Sequence, residues 1–163
     1  MRKSNLFFII LLSIFSFSIA QDIEEILPDE AYKMLKNPRT YLVDVRSIAE
    51  YVFIGHPEKA YNIPLMFWSE EKQKLIPNKN FIQDLKARFT KTDTLIFICR
   101  SGKRSLKAAS IARKAGFLNV FSIKEGFEGE KDEQGHRTIN GWKNRNLPYT
   151  YSLKKEFIYS KKE

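Results

Sequence analysis

Apolar residues along this chain fall into two kinds of run. Tyr41-Leu42-Val43-Asp44-Val45, Thr94 to Ile98 and Val120-Phe121-Ser122-Ile123 are short, nearly continuous and rich in β-branched or aromatic residues, the pattern of strands buried on both faces. Between them, apolar residues recur at helical spacing. Pro28-Asp29 opens one helix through Ala31, Met34 and Leu35, stopped at Asn37-Pro38, and Lys103 to Ala115 forms another, ended by Gly116. Phe81 to Phe89 carries the same spacing, as does Leu65 to Trp68, with Pro77-Asn78 between them. Shorter elements fill the gaps: a first strand in Asp22 to Leu27, a helical turn over Arg46 to Tyr51, a loop at Gly55-His56-Pro57 and a strand over Ala60 to Ile63 closed by Pro64. Alternating strand and helix with continuously apolar strands predicts an α/β fold, a central parallel β-sheet with helices on both faces.

The two ends follow different rules. Met1-Arg2-Lys3 is basic, Leu6 to Ile19 is apolar apart from serines, and Ser18-Ile19-Ala20 offers small residues before Gln21. This reads as a signal peptide over residues 1–20, since the apolar run is shorter than the ~20 residues that span a bilayer. The expected product is exported, periplasmic or secreted, with no stable membrane insertion after cleavage. One domain over residues 21–150 is expected, followed by a polar tail over 151–163 that reads equally as strand, docked arm or disorder. The net charge is +9, of which Arg2 and Lys3 contribute two. Basic and acidic residues are interspersed, no aromatic–basic motif appears, and nucleic acid is not an expected partner.

The chain has a single cysteine, Cys99, so no internal disulfide can form. It follows directly on Leu95-Ile96-Phe97-Ile98 and precedes Arg100-Ser101-Gly102-Lys103-Arg104-Ser105. Strand, short basic loop and helix start place a thiol outside the carboxyl end of a strand, where sites form in open α/β sheets. Helix-start amides and neighbouring cations favour an anion there, so the thiol is expected to have a lowered pKa and to be nucleophilic. Cys99 is the candidate catalytic residue, and Arg100, Ser101, Gly102, Lys103, Arg104 and Ser105 the candidate substrate-binding residues. Each has a plainer reading. Arg100 would pair with Glu50 or another carboxylate, Lys103 would be merely exposed, and Ser101 or Ser105 would cap the helix. Two histidines and one cysteine give no recognisable metal spacing, so no metal is expected.

Asp44-Val45-Arg46, Glu50-Tyr51, Gly55-His56, Ala60 and Asn62-Ile63-Pro64 resemble the N-terminal signature of rhodanese-like sulfurtransferase domains. Cys99 to Ser105 resembles their active-site loop, and Ala115-Gly116-Phe117 with Val120 the helix end and strand that follow. The resemblance covers about Ile23 to Pro148. It implies the rhodanese-like three-layer sandwich, a cysteine that carries sulfane sulfur as a persulfide, and no cofactor. It also implies a small anionic sulfur donor such as thiosulfate, and a thiol or cyanide-like acceptor, which can be a protein thiol. Asp44 and Arg46 are expected to support structure, Asp44 by pairing with an arginine or backbone, and His56 to pack a loop. One departure stands out. Where family members often carry Gly-Gly with a tryptophan soon after, this chain has Lys124 to Gly129, and Trp142 arrives only after Gly141, an insertion at about 125–141.

Two other activities fit less well. Cysteine phosphatases and arsenate reductases of similar fold space cysteine and arginine by five residues. Here Arg104 comes one residue too early and Ser105 holds the clamp position. A sulfur-carrier or binding module without efficient turnover would keep the same loop.

Overall fold

The computed structural model describes residues 22–160; the expected signal peptide lies outside them. Five strands, β1 (Glu24–Ile26), β2 (Thr40–Asp44), β4 (Tyr61–Asn62), β7 (Thr94–Ile98) and β8 (Asn119–Ile123), form one sheet in the order β1-β8-β7-β2-β4. Every pairing in it is parallel, with Leu42 opposite Ile96 and Asp44 opposite Ile98. β7 is therefore central, and the apolar run before Cys99 is buried on both faces. The α/β reading and its parallel sheet hold.

Alternate residues of the strands feed two cores. Val43, Val45, Leu95, Phe97 and Val120 face α3 (Phe81–Lys86) and α4 (Lys103–Lys114), whose Leu85, Ala108, Ala109 and Ala112 are fully buried. The small alanines let α4 lie close to the sheet. Leu42, Ile96, Ile98 and Ile123 face the other way. They meet Ala31 of α1 (Pro28–Met34), Ile54 of α2 (Ile48–Ile54), Phe127 and Trp142. α2 starts on a full capping box, in which Ser47 accepts from the Glu50 N–H and Glu50 accepts from the Ser47 N–H.

One expected element is different. Leu65 to Trp68 is not helical. β5 (Met66–Ser69) pairs antiparallel with β6 (Lys74–Pro77) as a hairpin, Phe67 opposite Ile76 and Trp68 opposite Leu75. A four-residue apolar run fits either period. The left-handed Gln73 (φ 48°) lies in the turn between the two strands. The C-terminal segment docks. β9 (Tyr149–Thr150) pairs antiparallel with β3 (His56–Pro57), the Asn62 N–H donates to the Phe157 carbonyl (2.8 Å), and the Phe157 ring meets Tyr61 edge-on. Trp142 and Leu147 close the second core.

Candidate functional site

Chain direction places the carboxyl ends of all five strands at one end of the sheet, and β7 delivers Cys99 there. The residue is 1% exposed. The chain then turns through Arg100, Ser101 and Gly102 into α4, with Gly102 at the N-cap position and φ +91°. Neither Ser101 nor Ser105 caps this helix. Ser105 lies inside its first turn, fully buried.

The Ser105 hydroxyl organises the thiol. It donates to the Gly102 carbonyl (2.7 Å) and accepts from the Ser122 hydroxyl of β8 (3.0 Å). Its proton is therefore engaged, and its 3.5 Å contact with Cys99 Sγ has the thiol as donor. Among the described residues this is the only hydrogen-bond partner of Sγ. Once the thiol loses its proton, the Ser105 O–H has to turn from the carbonyl to Sγ to stabilise the charge.

Backbone groups complete the loop. The Cys99 carbonyl accepts from the Phe127 N–H (2.8 Å) and the Arg100 carbonyl from Glu128 and Gly129 (3.0 and 3.3 Å). Among the described residues, none of the N–H groups of residues 100–105 donates to a protein acceptor. The carbonyls of the turn are spent on the following segment and its amides are not, which leaves donors for an anionic sulfur.

The turn tolerates no side chain where it meets that segment. A Cβ on Gly102 would stand 2.0 Å from the Lys124 carbonyl oxygen. One on Gly126, also left-handed, would stand 2.6 Å from the Cys99 oxygen and the Ser101 nitrogen. Residues 125–129, counted at sequence level within the insertion, thus form a wall of the site. The excursion proper is pinched off behind them, where Gly129 and Gly141 pack backbone to backbone. Its far side is held by Asp132, which accepts from the N–H groups of Gln134 and His136 and from the Thr138 hydroxyl.

The cations near Cys99 divide. Arg104 makes a two-pronged ion pair with Glu50 (2.8 and 2.5 Å). Burial alone would raise the Glu50 carboxyl. The Arg104 bonds and charge, with the Ser47 N–H and hydroxyl, outweigh it and hold Glu50 at about 2. It is Arg104, rather than Arg100, that takes Glu50. Among the described residues Arg100 and Lys103 form no ion pair and are exposed.

Asp44 and Arg46 pair with each other at the end of β2, both fully buried (2.6 Å), and Arg46 also donates to the Gly55 carbonyl (2.8 Å). Burial opposes the Arg46 charge, but the Asp44 carboxylate more than offsets it and leaves its pKa raised. The guanidinium lies over the Phe127 ring at 4.4 Å. The pair ties β2 to α2 and to the wall beside Cys99. His56 stacks on Tyr51 (3.7 Å between ring centroids), and burial pushes its pKa down. It packs a loop, as expected, with Nδ1 beside its neighbour's Pro57 carbonyl. No group of three or more His, Cys, Asp or Glu side chains that could hold a metal is present among the described residues.

Several participants are invisible in the sequence taken alone. Gly126 and Ser122 are 27 and 23 residues beyond Cys99 and reach it only through the β7–β8 pairing. The repeated glycines after β8 were the available signal.

Comparison with known proteins gives consistent results. The family description "Rhodanese-like domain" matches residues 27–133. An uncharacterized protein, RP600, from Rickettsia prowazekii is 36% identical over 132 residues, 79% of this chain and 98% of its own length. Rhodanese-like domain-containing protein 17 of Arabidopsis thaliana is 33% identical over 101 residues, 61% of this chain and 62% of its own. Among solved structures, Rv0390 from M. tuberculosis aligns with a TM-score of 0.70 at 35% identity, over 81% of this chain and all of the other. The polysulfide-sulfur transferase homodimer of Wolinella succinogenes aligns at 0.57 and 20% identity, over 79% of each chain, a likeness of fold.

Proposed function

This chain belongs to the rhodanese-like domain family, and we propose that it transfers sulfane sulfur through a persulfide on Cys99. The observation that carries the proposal is a lone cysteine heading a turn whose backbone N–H groups are unspent, beside a hydroxyl able to reorient toward its sulfur. With thiosulfate as donor, the Cys99 thiolate attacks the outer sulfur. A Cys–S bond to that sulfur forms, the sulfur–sulfite bond breaks, and sulfite leaves with the electron pair. The persulfide anion rests on the loop amides. An acceptor thiolate or cyanide then attacks the outer sulfur, and the Cys99 thiolate departs. Each half-reaction is a displacement at sulfur, so the kinetics are ping-pong and no cofactor enters.

Arg100 and Lys103 steer the donor, since Arg104 is neutralised by Glu50. The donor class is a small anionic sulfane compound and the acceptor a thiol or cyanide-like nucleophile, a protein thiol included. Export after cleavage near Ala20 belongs to the same proposal, and a secreted form beginning at Gln21 is its direct check. The burial of Cys99 favours a second reading, a carrier that holds sulfur shielded from solvent without rapid turnover.

Incubation with thiosulfate followed by intact-mass measurement tests both. The expected result is a gain of one sulfur atom, reversed by cyanide and absent in Cys99→Ser. No adduct with any sulfane donor overturns the proposal. An adduct without multiple turnover leaves the carrier.

A further inference from the structure

The flank of α4 leads away from the cysteine turn to a second concavity. Lys103, Lys107 and Ile111 follow one another at four-residue spacing, so they stand along one stripe of the helix. Lys103 heads that stripe at the helix start, next to the Cys99 turn, and Lys107 and Ile111 line a cavity of about 160 Å³. Met66 and Pro77, opposite each other in the β5–β6 hairpin, also line it, as does Ile82 of α3. Met66, Ile82 and Ile111 are half-buried and Pro77 is exposed, so the apolar lining is open to solvent. Trp68 and Leu75, 57% and 37% exposed, continue the same face of the hairpin outward.

Size and charge select what fits there. About 160 Å³ is below the ~300–1,000 Å³ of small-molecule pockets and close to the ~150 Å³ that takes one benzene-sized apolar group. That is room for a single leucine or phenylalanine side chain. The charged residues of the lining are Lys79 and Lys107, both exposed, and among the described residues neither forms an ion pair. Asp84, close by on α3, accepts from the Asn78 amide and the Tyr159 hydroxyl and does not line the cavity. An apolar hollow rimmed by two unpaired lysines suits an apolar side chain flanked by carboxylates, which is a feature of a protein segment.

We propose, on the reading that Cys99 carries sulfur, that this cavity seats one apolar residue of an acidic protein segment and so presents a cysteine of that partner to Cys99 as the sulfur acceptor. Lys107 and Ile111 lie about 6 and 12 Å along the helix axis from Lys103, a distance that about three or four extended residues span. A cysteine at that separation from the seated residue reaches the turn. Its thiolate bonds to the outer sulfur of the Cys99 persulfide, the sulfur–sulfur bond to Cys99 breaks, and Cys99 departs as the thiolate with the electron pair. The partner keeps the sulfur as its own persulfide, and no oxidant is consumed.

Docking is read by NMR of isoleucine methyl groups with the peptide Glu-Leu-Glu-Gly-Gly-Ser, in which serine stands in for the acceptor cysteine. The Ile82 and Ile111 methyl resonances shift saturably, while those of Ile139, 59% exposed in the excursion after β8, stay in place. Exchanging the peptide's leucine for serine, or both its glutamates for lysine, weakens binding about tenfold or more, as does the double variant Lys79→Glu, Lys107→Glu. Absence of a saturable shift, or equal binding in any of these three cases, overturns the docking. Discharge is read with Glu-Leu-Glu-Gly-Gly-Cys on thiosulfate-loaded protein. This peptide removes the sulfur about tenfold faster than its leucine-to-serine form, an advantage the double variant loses while discharge by cyanide is unchanged. Equal rates with docking intact overturn the acceptor role. Failure to load sulfur at all removes the sulfur-transfer reading instead, and the methyl shifts still decide the docking.

Discussion

Arg104 of α4 and Glu50 of α2 join helices that pack on opposite faces of the sheet, closing an ion pair across the carboxyl ends of the strands. Both side chains are about one-fifth exposed, so solvent screens the pair only in part. Glu50 titrates at about 2 when folded against 4.5 ordinarily. A depressed carboxylate stabilises the fold fully above its unfolded value, and that contribution is lost as pH falls through the folded one. Glu50→Gln therefore lowers stability at neutral pH, and the gap from wild type closes between about pH 4.5 and pH 2. Denaturant melts across that range read it directly; a gap independent of pH removes the ion pair as its source.

Gly102 and Gly126 hold the Cys99 turn against the segment after β8. Alanine at either position forces the backbone apart and strains a positive φ, at a cost of about 2 kcal/mol or more. Gly135 is the control, since it is also left-handed but a Cβ there meets nothing within 4 Å. Its alanine variant should lose markedly less in thermal unfolding than the other two.

Removal of the Asp44 carboxylate leaves Arg46 charged and buried without its partner. Asp44→Ala is expected to cost about 3–5 kcal/mol, a large share of the stability of an ordinary domain. A chevron or urea titration of Asp44→Asn, which keeps the shape and loses the charge, should fall between wild type and alanine.

Ser105→Ala separates chemistry from folding at the thiol. The lost hydroxyl bridges Gly102 and Ser122, so a stability loss of about 1 kcal/mol is expected. Sulfur loading of Cys99 from thiosulfate should slow, because the reacting sulfur loses its hydroxyl partner. An unchanged loading rate, read by intact mass over time, would mean that the hydroxyl never turns to the sulfur.

Much of this fold is written locally. β7, β8 and α4 are legible because an apolar run of one period ends where a loop with its own glycine begins, and the site sits at that junction. The hairpin of Met66 to Pro77 is not legible, since four apolar residues satisfy helix and strand alike and only the partner strand decides. Arg104 shows the same limit at the site. Its nearness to Cys99 in sequence suggests an anion clamp, but its orientation is set by Glu50, fifty-four residues away. Gly126 and Ser122 enter through strand pairing, which no local pattern encodes.

The docked C-terminal segment has a bearing on how copies of this chain treat one another. β4 lies at the margin of the sheet, where an open strand would offer its amides to any neighbouring molecule. Phe157 takes the Asn62 amide and its ring covers Tyr61. The segment thus acts as a guard against aggregation, at the end of the chain where the sequence looks least structured.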